Sequence, residues 1–263
     1  MAAAGDRISR VDRDIDGVIG DMNALQDELD RRDDTRRHFV ATYRRTTLAV
    51  AEEIKAGSFR DPEWVERWDV AFADLYLGPL RDDLAGLPVP GPWGVAFGYS
   101  RDQPEAPALR HLLLGMNAHI NYDLPQALLA VISDEEFDDP EVVRLRGEDH
   151  ARVDDILSGR VSAEDAELKA SGARSFVDKV LQPANRAASK RFLRESRRKV
   201  WANTRVLAAA RARGPEAFQQ SLAGLERLST AKVEDLVRPG QVLIRLGVNG
   251  FGVLLPGARV RKG

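Results

Sequence analysis

The chain has 263 residues, 43% of them hydrophobic, with 39 Lys plus Arg set against 41 Asp plus Glu. That is enough apolar material for one large core or two small ones and too much for a disordered polar chain, while a net charge of -2 leaves no basic excess to condense onto nucleic acid or anionic lipid. The absence of Cys excludes a disulfide framework, thiolate metal sites, iron–sulfur clusters and a Cys nucleophile, so any site must use His, carboxylates, hydroxyls or amides.

The opening Met1-Ala-Ala-Ala-Gly-Asp-Arg7 lacks the apolar stretch of a secretory signal. Nowhere later do about 18 uninterrupted apolar residues occur, so a soluble, cytoplasmic protein that binds neither membrane nor nucleic acid is expected. From Asp6 to Leu29 the apolar residues Ile8, Val11, Ile15, Ile19, Met22, Leu25 and Leu29 step by three or four, the period of one helical face. This N-terminal helix could also serve a homo-oligomer. Asp33 or Asp34 can cap a second helix with Phe39, Tyr43, Thr47, Val50 and Ile54 inward and Gly57 as its stop, closing a helical hairpin over residues 6–56. Asp61 and Pro62 are the cap and first position of a third helix, in which Trp64, Val65, Trp68, Phe72, Leu75 and Tyr76 recur at helical spacing to about Leu80.

The Pro- and Gly-rich run from Gly86 through Pro107 reads as a long irregular connection, of the kind that covers a site or wraps a surface. Ala108 to Ile132 reads as one apolar helix kinked at Pro125. Asp138-Asp139-Pro140 caps a helix running to about Leu157. Helical pattern resumes from Ser175 to Arg213, bent at Pro183, and Pro215 starts a further helix through Leu228. The basic run Lys190 to Lys199 reads as a solvated helix face. The tail changes character: Gln241 to Leu246, a turn at Asn249-Gly250, and Phe251 to Leu255 read as a β-hairpin. The expected architecture is all-α, a bundle-like single domain over residues 1–236 with its core in 61–228, and a small C-terminal β-hairpin over 237–263.

Only four histidines occur, and two share one local arrangement, His119-x-x-x-Asp123 and His150-x-x-x-Asp154, with Asp34-x-x-x-His38 in reverse order. Residues four apart on a helix stack on one face, close enough to share a cation or for the carboxylate to orient the imidazole. Around the first pair, Asn117, His119, Asn121 and Asp123 interrupt an otherwise apolar helix. Unpaired burial of such groups costs roughly 1–3 kcal/mol each, so they must satisfy one another, other side chains, water or a metal. Two readings follow. In one, His119, Asp123, Asn121 and Asp69 are catalytic, and His119, Asp123, His150 and Asp154 hold a divalent metal (zinc, manganese or iron) that activates water for hydrolysis of a small-molecule substrate. In the other, the protein is a non-catalytic binder of a small ligand or partner, and the same groups form a buried polar network.

The segment Leu112 to Asp123, with its Gly-Met-Asn-Ala-His-Ile-Asn-Tyr-Asp core, taken with Asp61-Pro-Glu-Trp-Val65, Trp68-Asp-Val-Ala-Phe72 and the helix bearing His150 and Asp154, resembles the bacterial family known as domain of unknown function 5995. That resemblance covers residues 35–228, implies an all-helical domain and supplies no activity. The order Leu114, Gly115, His119, Asp123 is also similar to a stretch of the all-α fold of zinc-dependent phospholipases C and single-strand nucleases. Those enzymes continue with Pro and a further His and use several more histidine ligands, whereas four His cannot populate a trinuclear site.

Overall fold

The computed structural model describes residues 13–153, 156, 183–240, 245–246 and 249–260. Among these residues the chain is helical with no strand: α1 Ile15–Arg31, α2 Arg37–Lys55, α3 Pro62–Leu84, α4 Gly91–Asp102, α5 Ala108–Ala118, a π-helical turn His119–Asp123, α6 Leu124–Val131, α7 Asp134–Asp138, α8 over 140–153, α9 Pro183–Ala212 and α10 Pro215–Val237. No described helix is long and apolar enough to cross a membrane.

Asp14 accepts the Gly17 N–H at the start of α1; Ile8 and Val11 of the expected stripe lie outside the described residues. Of the rest of that stripe, Ile15, Met22, Leu25 and Leu29 are buried against α2 and α3, and Val18 is buried where Ile19 was expected, Ile19 itself being only partly covered. Asp34 accepts the Arg36 N–H at the entrance to α2, and Asp61 accepts the Trp64 N–H at the start of α3, with Pro62 at the first helical position as the sequence predicts.

Helix α3 forms the spine. Trp64, Trp68, Phe72 and Tyr76 recur every fourth residue along one face, and the first two stack with ring centroids 5.7 Å apart. Around that stripe the structure corrects two expectations. Within the run from Gly86 to Pro107 lies α4, because Pro90 caps it and Pro92 sits in its first turn, where a fixed φ suits the helix and a missing N–H costs nothing. The Gly91 N–H there is taken by Glu226 of α10 at 2.8 Å. The second correction concerns Pro125: the interruption predicted there falls earlier, at the π-helical turn His119–Asp123. Leu124 donates its N–H to the His119 carbonyl, a π-type bond spanning five residues, and this turn absorbs the irregularity so that Pro125 sits in the first turn of α6. At the other end of this rod, Gly115 lets α2 approach: a Cβ there would lie 2.7 Å from Cγ of Phe39.

Asp139 caps α8 through the Glu141 N–H at 2.8 Å, and Asp149 of that helix accepts the N–H groups of Arg60 and Asp61 at 2.8 and 2.9 Å, fixing α8 to the start of α3. The predicted bend at Pro183 coincides with the first residue of α9, and the pattern from Ser175 lies outside the described residues. Helix α10 runs past Leu228 to Val237.

Among the described residues the C-terminal β-hairpin is not found. Residues 241–244 and 247–248 lie outside the described residues, Arg245 and Leu246 are helical, and Phe251–Leu255 belongs to neither helix nor strand. The alternation that suggested a strand is real, since Phe251, Val253 and Leu255 are buried, but side-chain amides of the helices take the place of a second strand.

Candidate functional site

The π-turn delivers His119 and Asp123 to the protein interior, 3% and 1% exposed, with His119 Nδ1 2.8 Å from Asp123 Oδ2. Trp93 Nε1 of α4 donates to the same carboxylate oxygen at 2.9 Å. Asp123 therefore receives donors from its own helix and from α4, and its orientation is fixed by two elements. Burial holds its carboxyl well above the usual carboxylate range, against the lowering effect of the Trp93 bond, and holds the His119 imidazole well below its ordinary value. Both shifts favour neutral groups. In the neutral imidazole with its proton on Nδ1 toward Asp123, Nε2 is a lone-pair acceptor, and no protein group bonds it.

Five aromatic rings surround that imidazole. Phe72 stacks on it face to face, 3.6 Å between centroids and 4° between planes; Tyr43 stands edge-on at 4.5 Å, and Phe39, Tyr76 and Trp93 close the box at 5.8 to 5.9 Å. Such rings supply bulk and a low dielectric, which is why the imidazole stays uncharged.

Of the other predicted site residues, Asp69 lies buried on α3, its carboxyl pushed up to about 7 by burial and by the charge of Glu66, and its Oδ2 has no hydrogen-bond partner. Burial holds the Tyr43 phenol well above its ordinary value, and the charges of Asp69 and Asp123 add to the rise, so the three groups belong to one electrostatic neighbourhood. Asn121 is on the same turn as His119 and engages the tail instead: it donates to the Phe251 carbonyl at 3.0 Å and accepts the Val253 N–H at 3.1 Å.

His150 lies in a different aromatic pocket, between Trp68 at 5.3 Å and Trp201 at 5.6 Å. Trp68 is one turn along the α3 stripe from Phe72, so the spine sends the two histidines to successive positions rather than to one centre. Burial, helped by Arg197, keeps the His150 imidazole well below its usual value. Asp154 lies outside the described residues. The reversed Asp34/His38 pair does not close, because Asp34 bonds Arg36 Nε at 3.0 Å while His38 stacks on His111 at 6.2 Å. Among the described residues no three His, Asp or Glu side chains come together as a group that could hold a metal ion, and the inward-facing atoms of His119 and Asp123 are turned to each other.

Two partners in this arrangement escaped the sequence reading. Trp93 stands in the Pro- and Gly-rich run taken as a connection. Asn203 of α9 repeats the Asn121 pattern one dipeptide further along the tail, donating to the Val253 carbonyl at 3.1 Å and accepting the Leu255 N–H at 2.8 Å. For Asn203 the available signal was a lone Asn in the largely apolar stretch of α9 that follows the basic run Lys190 to Lys199.

The architecture so defined is an all-helical protein with an aromatic-boxed His–Asp pair on a π-turn. The chain belongs to the family of unknown function DUF5995, whose model matches residues 15–239. Neither a curated protein nor a solved structure matches it.

Proposed function

We propose that this is a non-catalytic helical binding protein of the cytoplasm, in which the His119–Asp123–Trp93 chain and the asparagines are a polar network that fixes the helices and the tail for recognition of a partner. The observation that carries this reading is the closure of the pair: both side chains are almost fully buried, and Asp123 Oδ2 is bonded to two protein nitrogens. A buried carboxyl oxygen that accepts from two donors on different elements is what a structural network requires.

The test is thermal unfolding of wild type and Asp123→Ala at neutral pH, both treated with chelator. Loss of the acceptor leaves the Trp93 and His119 N–H groups buried without a partner, and the expected destabilisation is roughly 1–3 kcal/mol. An alanine variant at least as stable as wild type, with loss of a hydrolytic activity, would overturn the reading in favour of an enzyme.

That second reading, a hydrolase, draws on one observation. His119 Nε2 and Asp69 Oδ2 are buried polar atoms without hydrogen-bond partners, and the Asp69 carboxyl is itself pushed up to about 7. On that reading His119 takes a proton at Nε2 while Asp123 holds the Nδ1–H, and zinc, manganese or iron would need ligands beyond these two. Elemental analysis together with a screen of ester, phosphoester and amide substrates tests it. Stoichiometric metal or turnover abolished by His119→Ala would favour it.

A further inference from the structure

Residues 251–255 lie extended across α5, the π-turn and α9, and their backbone is read by side chains. Asn121 bonds the Phe251 carbonyl and the Val253 N–H; Asn203 bonds the Val253 carbonyl and the Leu255 N–H, the same two-sided grip moved along by one dipeptide. Asn117 adds a second donor to the Phe251 carbonyl at 3.2 Å, and Lys199 Nζ donates to the Gly252 carbonyl at 3.2 Å. A carboxamide presents one donor and one acceptor side by side, as a strand edge does, so two asparagines in register replace a neighbouring strand.

Side-chain selectivity is built in at alternate positions. Phe251, Val253 and Leu255 point inward and are buried, while Leu254 is 39% exposed. Residue 252 is crowded: a Cβ would lie 2.8 Å from Cδ of Lys199, which would have to move, and 3.3 Å from the Ser196 Cα, so a small residue is favoured there. Backbone bonds for affinity, with alternate pockets for specificity, are how proteins recognise extended peptides.

The segment is bounded by turns. Gly250 has φ +68° on one side. On the other, Leu255-Pro256-Gly257-Ala258 closes with Ala258 donating to the Leu255 carbonyl at 3.1 Å and Gly257 at φ +85°. Every residue that grips it lies inside the family match of 15–239, and the gripped segment lies beyond that match.

We infer that this surface is a peptide-binding groove that accepts an extended segment of the pattern apolar-small-apolar-any-apolar, with residues 251–255 as a resident strap that a partner peptide displaces. The inference rests on the non-catalytic binding reading and gives its partner a chemistry. A tethered occupant competes at high effective concentration, so the groove of the intact chain is largely closed to a free peptide.

The experiment uses full-length protein and a fluorescein-labelled peptide of residues 249–258, with fluorescence anisotropy as the readout. Val253→Pro removes the N–H given to Asn121 and loosens the strap. The folded variant is expected to bind the peptide about tenfold or more tighter than wild type. That gain is lost when Asn203→Ala is added, and a peptide carrying Gly252→Leu does not bind. Hydrogen exchange on wild type supplies the second measurement: the Val253 and Leu255 amides are expected to exchange at least about tenfold faster than the buried Leu128 amide, by local release of the strap. Exchange of all three only by global unfolding, a Val253→Pro chain that fails to fold, or concentration-dependent dimers in place of peptide binding would each overturn the groove. None of these outcomes bears on Asp123, whose role is decided by unfolding and by the substrate screen.

Discussion

Asp69 is the residue whose burial has the plainest thermodynamic consequence. Its carboxyl, near 3.8 when unfolded, is pushed up to about 7 in the folded protein, first by burial and then by Glu66. Between those values the native state holds a proton that the unfolded chain has released, so this group makes stability fall as pH rises through that window. The slope is at most about 1.4 kcal/mol per pH unit. Buried His119 and His150, held below their ordinary values, act oppositely and weaken the fold as pH falls, so the contribution of Asp69 must be taken as a difference. Denaturant melts of wild type and Asp69→Asn from pH 4 to 7 should show wild type losing ground to the variant as pH rises, and parallel curves would exclude an elevated Asp69. Gly115 gives a second expectation: Gly115→Ala places a methyl against the Phe39 ring and should cost roughly 1–3 kcal/mol in a thermal melt. At this scale the pairing of His119 with Asp123 was legible, because spacing by four on a helix puts two side chains on one face. Trp93 was not legible as their partner, since long-range contact between α4 and the π-turn leaves no trace in local spacing.

The element that departs most from periodic expectation is the π-turn. A π-turn amounts to one extra residue in an α-helix, and it keeps α5 and α6 on their packing faces while turning His119 and Asp123 toward each other. Deleting Ile120 removes that residue. The flanking helices should remain, with unchanged far-UV circular dichroism, but His119 and Asp123 would then stand three apart and the link to Trp93 would break, lowering stability by roughly 1–3 kcal/mol. A deletion variant with wild-type stability would show the network to be dispensable. The proline at 125 signalled an irregularity in the sequence and gave its place wrongly by a few residues, because proline marks where an N–H is missing and not where the helix relaxes. Prolines 90 and 92 misled in the same way: they suit the start of a helix as well as they suit a loop, and only packing against α10 chooses between them.

For the molecule as a whole, the helical class and most of the helix order could be read from spacing, since each amphipathic stripe is a local property of the chain. The tail could not. Its alternation has the period of a strand, yet its partners are Asn121 and Asn203, separated from it by 130 and 50 residues. Those separations also order events in time. A ribosome emits the helices that carry Asn117, Asn121 and Asn203 before the segment that covers them, so the nascent helices must assemble with these amides wet until residues 251–255 have been made. Because these contacts close the longest loops in the site, they are expected to form after the main barrier is crossed. Asn203→Ala should therefore leave the refolding rate nearly unchanged and speed unfolding, by roughly tenfold for a loss near 1.4 kcal/mol. Stopped-flow chevrons of the two proteins would register the effect almost entirely on the unfolding limb, making residues 251–255 a latch on escape from the native state.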